Sequence, residues 1–399
     1  MMHGSRHKAS VRTLRSVPWS VLFTFFLFAA VFLRPARAEI DPINPPGQLV
    51  DIGGYRLHIR CEGEGSPAVI MDAGLGGLSL EWLSVQRFLK HYTQVCSYDR
   101  AGYGWSDPGP QPRTSSMIAD ELFQLLLRAS VRGPYILVGH SFGGYNVQLF
   151  AERYPYLTAG VVLVDSSHPD QVERFLAPPL SMNTAPTGQT SGVVLLPGPV
   201  MLPANMPEDA QTAALMLMSR RKSRQAAAEE FLYFRDSAAE VRAHGALPNV
   251  PLVVISRGIP ERNTAEEQGR LAEALWITLQ EELAERSSRS AHLIANESGH
   301  HVHLDQPQLV ADAITMVLDF ARAPAEAPAR RDDLGSTWLA FAGATWRSDS
   351  LHRAPEEYLP LDPTTQVAAV LPVQLGHVAW TAQPDYQRVR YLRPVSLTQ

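Results

Sequence analysis

Between residues 48 and 323 the chain alternates short apolar runs with longer stretches whose apolar residues recur every three or four positions. The runs at 49–52, 55–61, 68–71, 95–98, 135–138, 160–164, 252–255 and 292–294 predict eight strands. Those at 135–138 and 160–164 are apolar throughout, the mark of strands covered on both faces. Gly53-Gly54, between the first two runs, reads as a hairpin turn. Helical spacing falls over 80–89, 116–128, 142–154, 264–286 and 308–321. Strand-helix alternation after an opening hairpin predicts an α/β fold, a mostly parallel sheet with helices on both faces.

Two stretches break that rhythm. Residues 166–249 hold loops and two further helical segments, 209–221 and 224–244, between the sixth and seventh strands. An insertion of this size at the active end of a sheet reads as a helical cap, dividing the core into 39–165 and 250–323. Its run Ala214-Leu215-Met216-Leu217-Met218 fits helix core better than cavity lining. From 324 to 399 the chain is first rich in Ala and Pro, then carries Trp338, Trp346 and Trp380 without a clear period. This linker and tail receive no function.

The N-terminus follows a different grammar. Arg6, Lys8, Arg12 and Arg15 precede an apolar run over 21–33, and Ala36-Arg37-Ala38 follows it. Basic region, short apolar core and small-x-small site describe a signal peptide over 1–38, so export to a periplasm or the exterior is expected. The run falls short of the roughly 20 residues that cross a bilayer. Retention as an uncleaved anchor is the alternative, and would be the chain's one membrane contact. With 45% apolar residues and a net charge of -5, the 399-residue chain has material for a core and no basic footprint for nucleic acid. Cys61 and Cys96 are its two cysteines, each near the end of a predicted strand. On neighbouring strands in an oxidising compartment they would form a disulfide; otherwise they are buried thiols.

Candidate chemistry begins at Gly139-His140-Ser141-Phe142-Gly143, directly after the fifth strand and before a helix. Alone, a Gly-x-Ser-x-Gly pentad is a glycine- and serine-rich turn. Between strand and helix it has the form of a nucleophile elbow, which exposes the Ser141 hydroxyl at the sheet's edge. A serine needs a base, a group to orient it and donors for the developing oxyanion. Ser298-Gly299-His300-His301-Val302-His303-Leu304-Asp305 follows the last strand, and His300 at the loop tip is assigned as the base. His301-x-His303-x-Asp305 has zinc-like spacing but lacks a second His/Cys cluster, so no metal is expected. The oxyanion donors are expected to be the Phe142 amide, at a helix N-terminus, and the Leu75 amide in Gly74-Leu75-Gly76-Gly77.

Residues 71–77, Tyr98-Asp99-Arg100-Ala101-Gly102-Tyr103-Gly104-Trp105-Ser106, residues 139–144 and Gly299-His300 together resemble the α/β-hydrolase superfamily, over roughly 48–323. The likeness is to its capped, esterase- and lipase-like members. It implies an eight-stranded sheet with the second strand antiparallel and strands two and four adjacent, which would set Cys61 beside Cys96. The Asp99–Ser106 segment then serves as a structural turn near the site. One departure concerns the triad acid, which the family usually places shortly after strand seven. Here that stretch offers only Glu261, whereas Asp165 ends the apolar sixth strand, an alternative place in some members. A charge ending a wholly apolar strand needs a partner, and an imidazolium provides one, so Asp165 is preferred to Glu261. Serine at 141 sets the chain apart from relatives with a carboxylate nucleophile, and there is no His-Gly-Gly-Gly loop. The resemblance thus implies a serine hydrolase acting on a small-molecule carboxylic ester with no cofactor. An amide, peptide or thioester hydrolase, or a non-catalytic binding protein on the same fold, are the alternatives.

Overall fold

The computed structural model describes residues 40–177, 180, 202–245, 247–261, 263 and 265–323. The expected signal peptide, the tail and part of the expected cap lie outside the described residues. The strands are β1 (Gln48–Asp51), β2 (Arg56–Glu62), β3 (Ala68–Asp72), β4 (Val95–Asp99), β5 (Tyr135–His140), β6 (Thr158–Val164), β7 (Leu252–Arg257) and β8 (Ser290–Ala295). They form one sheet in the order β1-β2-β4-β3-β5-β6-β7-β8. β2 runs antiparallel to both neighbours, and every pairing from β4 onward is parallel. Gly53-Gly54 does turn β1 into β2, which pair from Gln48↔Ile59 to Asp51↔Arg56.

Side chains of the central strands alternate between two cores, as a pleated strand buried on both faces requires. Leu137, Val161, Leu163 and Val254 belong to one core with Ile118, Leu122 and Leu125 of the helix Ser115–Arg128 and with Val147 and Phe150 of the helix Gly143–Arg153. Ile136, Val138, Val162, Val164 and Val253 belong to the other, with Val85 and Leu89 of Leu83–Leu89 and Ile314 and Val317 of Pro307–Arg322. Each such aliphatic side chain contributes about 1.5–3 kcal/mol by burial. The sheet is therefore stiff, and the C-terminal ends of its parallel strands are fixed points. Among the described residues, no helix is long and apolar enough to cross a membrane.

Between β6 and β7 lie the helices Gln171–Leu176, Glu208–Ser219, Arg221–Leu232 and Phe234–His244. The sequence pattern predicts a single helix over 224–244, but the chain turns at Tyr233 with no glycine or proline to mark it. The turn lets Phe234 pack against the rings of Phe142 and Tyr145, while Glu230 on the preceding helix points to Arg100. Of the run 214–218, Ala214 and Leu217 join helix core, Met218 lines a cavity, and Leu215 and Met216 are exposed.

Cys61 and Cys96 are register partners on β2 and β4 and are joined in a disulfide. Their separation of 35 residues closes a loop whose restriction in the unfolded chain is worth about 3–4 kcal/mol. Replacing both by alanine should lower the free energy of unfolding in denaturant titration by roughly that amount, and an unchanged midpoint would contradict it.

Candidate active site

Ser141 directly follows β5 with a φ of +51°. That left-handed conformation is costly for a residue with a side chain and persists only where the surroundings enforce it. They do so here through the backbone: Ser141 N–H donates to Val164 O (3.2 Å), and its carbonyl accepts from Ser167 N–H (3.0 Å) and Gly144 N–H (3.0 Å). Tight packing sets the glycine before it. A Cβ on Gly139 would lie 2.6 Å from the Gly143 carbonyl oxygen. The loop after β3 closes in from the other side, where a Cβ on Gly74 would sit 3.2 Å from that of Ser141 and 2.9 Å from His140 Nδ1.

Asp165 directly follows β6, with no exposed side-chain surface and a φ of +39°. Oδ2 lies 2.6 Å from His300 Nδ1 and accepts from Arg257 Nη1 at 2.9 Å. Oδ1 accepts from Trp276 Nε1 (2.8 Å) and the Arg257 backbone N–H (3.0 Å). Burial alone would raise this carboxyl's pKa, but His300 and Arg257 hold it below the usual value. With Nδ1 directed at Asp165, His300 is left with Nε2 for other work. Burial opposes the imidazolium, yet the bond and charge of Asp165 outweigh it and raise His300 above the ordinary 6.5. Glu261, the other candidate acid, is 42% exposed and lies 3.9 Å from Arg257.

Ser141 and His300 line one cavity of about 540 Å³, together with Leu75, Phe175, Met218 and Trp276. Glu261 also reaches its wall. Phe142, fully buried, begins the helix Gly143–Arg153, so its amide lies at a positive helix end beside Ser141.

A family model described as "Alpha/beta hydrolase family" matches residues 69–313, more than half of the chain. The chain belongs to the alpha/beta hydrolase family. Among relatives, it is 26% identical over 265 residues to the uncharacterized protein YqjL of Bacillus subtilis, covering 66% of this chain and 88% of that one. A "Probable transporter efuK" of Hormonema carpetanum is 35% identical over 127 residues, which is 30% of this chain but only 18% of the transporter. A solved serine hydrolase of carbazole degradation, CarC, shares the fold with a TM-score of 0.50 at 16% identity, over 68% of this chain and 98% of that one.

Three further histidines, His140, His301 and His303, cluster with His300. His140 Nε2 donates to the His300 carbonyl (2.9 Å), and its ring centre lies 4.7 Å from that of His300 and 4.4 Å from that of His303. His301 lines the cavity, and burial with the charge of His300 lowers its pKa to about 4. His303 is buried against Trp82, 3.4 Å from Glu81 Oε2. Asp305 is occupied by Ser298 Oγ, the Gly299 N–H and Asn205, so it holds the histidine loop in place. Among the described residues, the three whose ligand atoms converge are instead Glu81, His140 and His303, within 4.8 Å of one another. A tetrahedral zinc holds its ligand atoms about 3.4 Å apart, so this group would have to contract to share an ion.

Asp99 explains the turn that follows it. Its carboxylate accepts from Ser79 N–H (2.8 Å) and Trp105 N–H (3.1 Å) and faces His58 Nδ1 (2.9 Å), all within the fold and away from the reacting groups. Sequence reasoning passed over Arg257 and Trp276, the remaining donors to Asp165. Arg257 does carry a signal, since it ends an apolar strand just as Asp165 does.

Because Asp165 is the main raising influence on His300, ahead of Glu261, Asp165→Asn should drop the imidazole pKa below its wild-type value. An NMR pH titration of the His300 ring that shows no downward move would refute this account of the electrostatics.

Proposed function

We propose that this hydrolase is an exported serine esterase. The observation that carries the reading is the contact of 2.6 Å between buried Asp165 and His300, whose ring shares the wall of one cavity with Ser141. In the proposed reaction His300 Nε2 takes the Ser141 hydroxyl proton as Oγ bonds to the acyl carbon. The carbonyl's π electrons move to its oxygen, which the Leu75 and Phe142 amides hold. Collapse expels the alcohol, which receives its proton from His300, and leaves an acyl-Ser141. Water, deprotonated by His300, then releases the carboxylic acid and restores the serine. Asp165 stays ionised throughout and orients the ring. No cofactor enters these steps.

A cavity of about 540 Å³ suits an ester of modest size. The inserted helices act as its cap, with Met218 and Phe175 on its wall. Export is supported by the N-terminal pattern and by the Cys61–Cys96 disulfide, which suits an oxidising compartment.

Ser141→Ala should remove turnover of an activated ester by roughly 10⁴-fold or more while preserving the fold. Asp165→Asn should cost on the order of 10³–10⁴-fold in kcat, and Glu261→Gln little. Equal turnover by the serine variant, or the larger loss at Glu261, would overturn the assignment. Activity should also rise with pH through the titration of His300, because only neutral imidazole accepts the proton. The inflection should lie above 6.5, since Asp165 raises that group; a pH-rate profile reads it directly.

A further inference from the structure

Arg100 lies immediately after β4, with 2% of its side chain exposed, and all five of its guanidinium N–H donors have acceptors. Nη1 donates to Asp72 Oδ1 and to the Ala73 carbonyl, both at 2.6 Å. Nη2 donates to the Gly74 carbonyl at 2.9 Å and to Glu230 Oε2 at 2.8 Å. Nε donates to Glu230 Oε1 at 2.8 Å, completing a two-pronged pair. Glu230 has no exposed side-chain surface and comes from the inserted helix Arg221–Leu232, 130 residues away.

The contact with Gly74 has a mechanical consequence. A peptide unit is planar and trans, so the Gly74 carbonyl and the Leu75 N–H belong to one rigid plate and point in opposite directions. Anchoring that oxygen on Arg100 therefore aims the Leu75 amide. The far end of the loop is tied to the same carboxylate: Gly76 N–H donates to the Tyr103 hydroxyl (3.3 Å), which donates to Glu230 Oε2 (2.8 Å). Both flanks of Leu75 thus lead to Glu230, one through Arg100 and one through Tyr103. Arg100 also lies over the ring of Phe142, 5.6 Å from its centre, beside the second amide.

We propose that Glu230 of the inserted helices is a positioning residue for the oxyanion hole, acting through Arg100 and Tyr103 on the Leu75 amide. The inference rests on the serine-esterase reading and adds to it that the hole is complete only when these helices are seated. Without Glu230, two guanidinium donors and the Tyr103 hydroxyl lose their buried acceptor, and Arg100 is free to swing toward Asp72. The Gly74–Leu75 plate then loses its fixed orientation, while the wall formed by Phe175, Met218 and Trp276 is unchanged.

The test compares full-length wild type with Glu230→Gln, Tyr103→Phe and, as a control on the same helix, Glu229→Gln, a half-buried residue whose carboxylate accepts from Gln111 and Gln225. Three readings are taken: the rate of labelling by a fluorophosphonate, kcat and KM for an activated ester, and the affinity for an alkyl boronic acid, whose serine adduct carries the tetrahedral oxyanion. Glu230→Gln should lower kcat, labelling rate and boronate affinity together by about 10- to 100-fold, less than or comparable to deleting a whole oxyanion donor. KM should stay within about twofold, as expected when transition-state binding alone is lost. Tyr103→Phe should move the same three quantities in the same direction by less, and Glu229→Gln should leave them unchanged.

If Glu230→Gln does not fold, Tyr103→Phe decides the matter alone. Wild-type values in a folded Glu230→Gln or Tyr103→Phe would overturn the positioning role, as would a loss confined to KM. Failure of the wild type itself to be labelled would instead overturn the serine reading and, with it, this one.

Discussion

A carboxylate shut away from water is stable only where donors replace its hydration, and this protein places two of them at the ends of the parallel strands that flank β5. Asp165 directly follows β6 and Asp72 closes β3, on either side of β5 and its elbow. Neither has exposed side-chain surface. Each must gather donors from distant segments, and the gathering is what assembles the site. Asp165 draws in β7 through Arg257, the helix Glu267–Ala284 through Trp276, and the loop after β8 through His300. Asp72 draws in Arg100 after β4, Tyr98 on β4, and Asn146 from the helix that follows Ser141.

The two networks differ in what they leave free. Around Asp165 one partner, His300, is a quarter exposed and opens on the cavity, so the network ends in a group that can exchange a proton. Around Asp72 every partner is buried, and burial, though it opposes the Arg100 charge, is outweighed by Glu230 and Asp72. That side holds backbone in place and opens on no cavity through its carboxylate. A proton-carrying edge and a rigid edge on either side of Ser141 match the division of labour that the proposed acyl transfer needs.

How much of this was legible in the sequence depended on whether a residue's partner lay nearby in the chain. The central strands announced themselves because burial on both faces leaves an unbroken apolar run, as at 135–138 and 160–164. The elbow was legible because its constraint is local: the glycine at 139 answers to backbone four residues away. Asp165 stood out as a charge ending an apolar strand. Its contact with His300 spans 135 residues and that with Arg257 spans 92, so only the fold could pair them. Glu230 gave no signal at all. In an alanine-rich helix with charges on several sides it reads as one more solvated acid, and its burial depends on Arg100, 130 positions earlier. The break at Tyr233 was hidden for the same reason, since it is set by packing of Phe234 on Phe142 and Tyr145 and not by a helix breaker.

Arg257 also limits how far Asp165 can act. It shares Oδ2 with His300, and its charge lowers the histidine's pKa while Asp165 raises it. A bare buried carboxylate at 2.6 Å would hold the ring as an imidazolium well past neutral pH, oriented but unable to accept a proton. A carboxylate fully neutralised by arginine would leave a neutral ring with little to stabilise the positive charge that the proposed reaction places on it. Arg257 divides itself between Asp165 and Glu273, whose oxygens lie 3.0 and 3.3 Å from Nη2, and so offsets only part of the charge on Asp165. The outcome is a histidine raised from its ordinary value by the balance of these charges against burial, with Trp276 fixing the carboxylate's other oxygen so that the balance does not drift with rotation of Asp165.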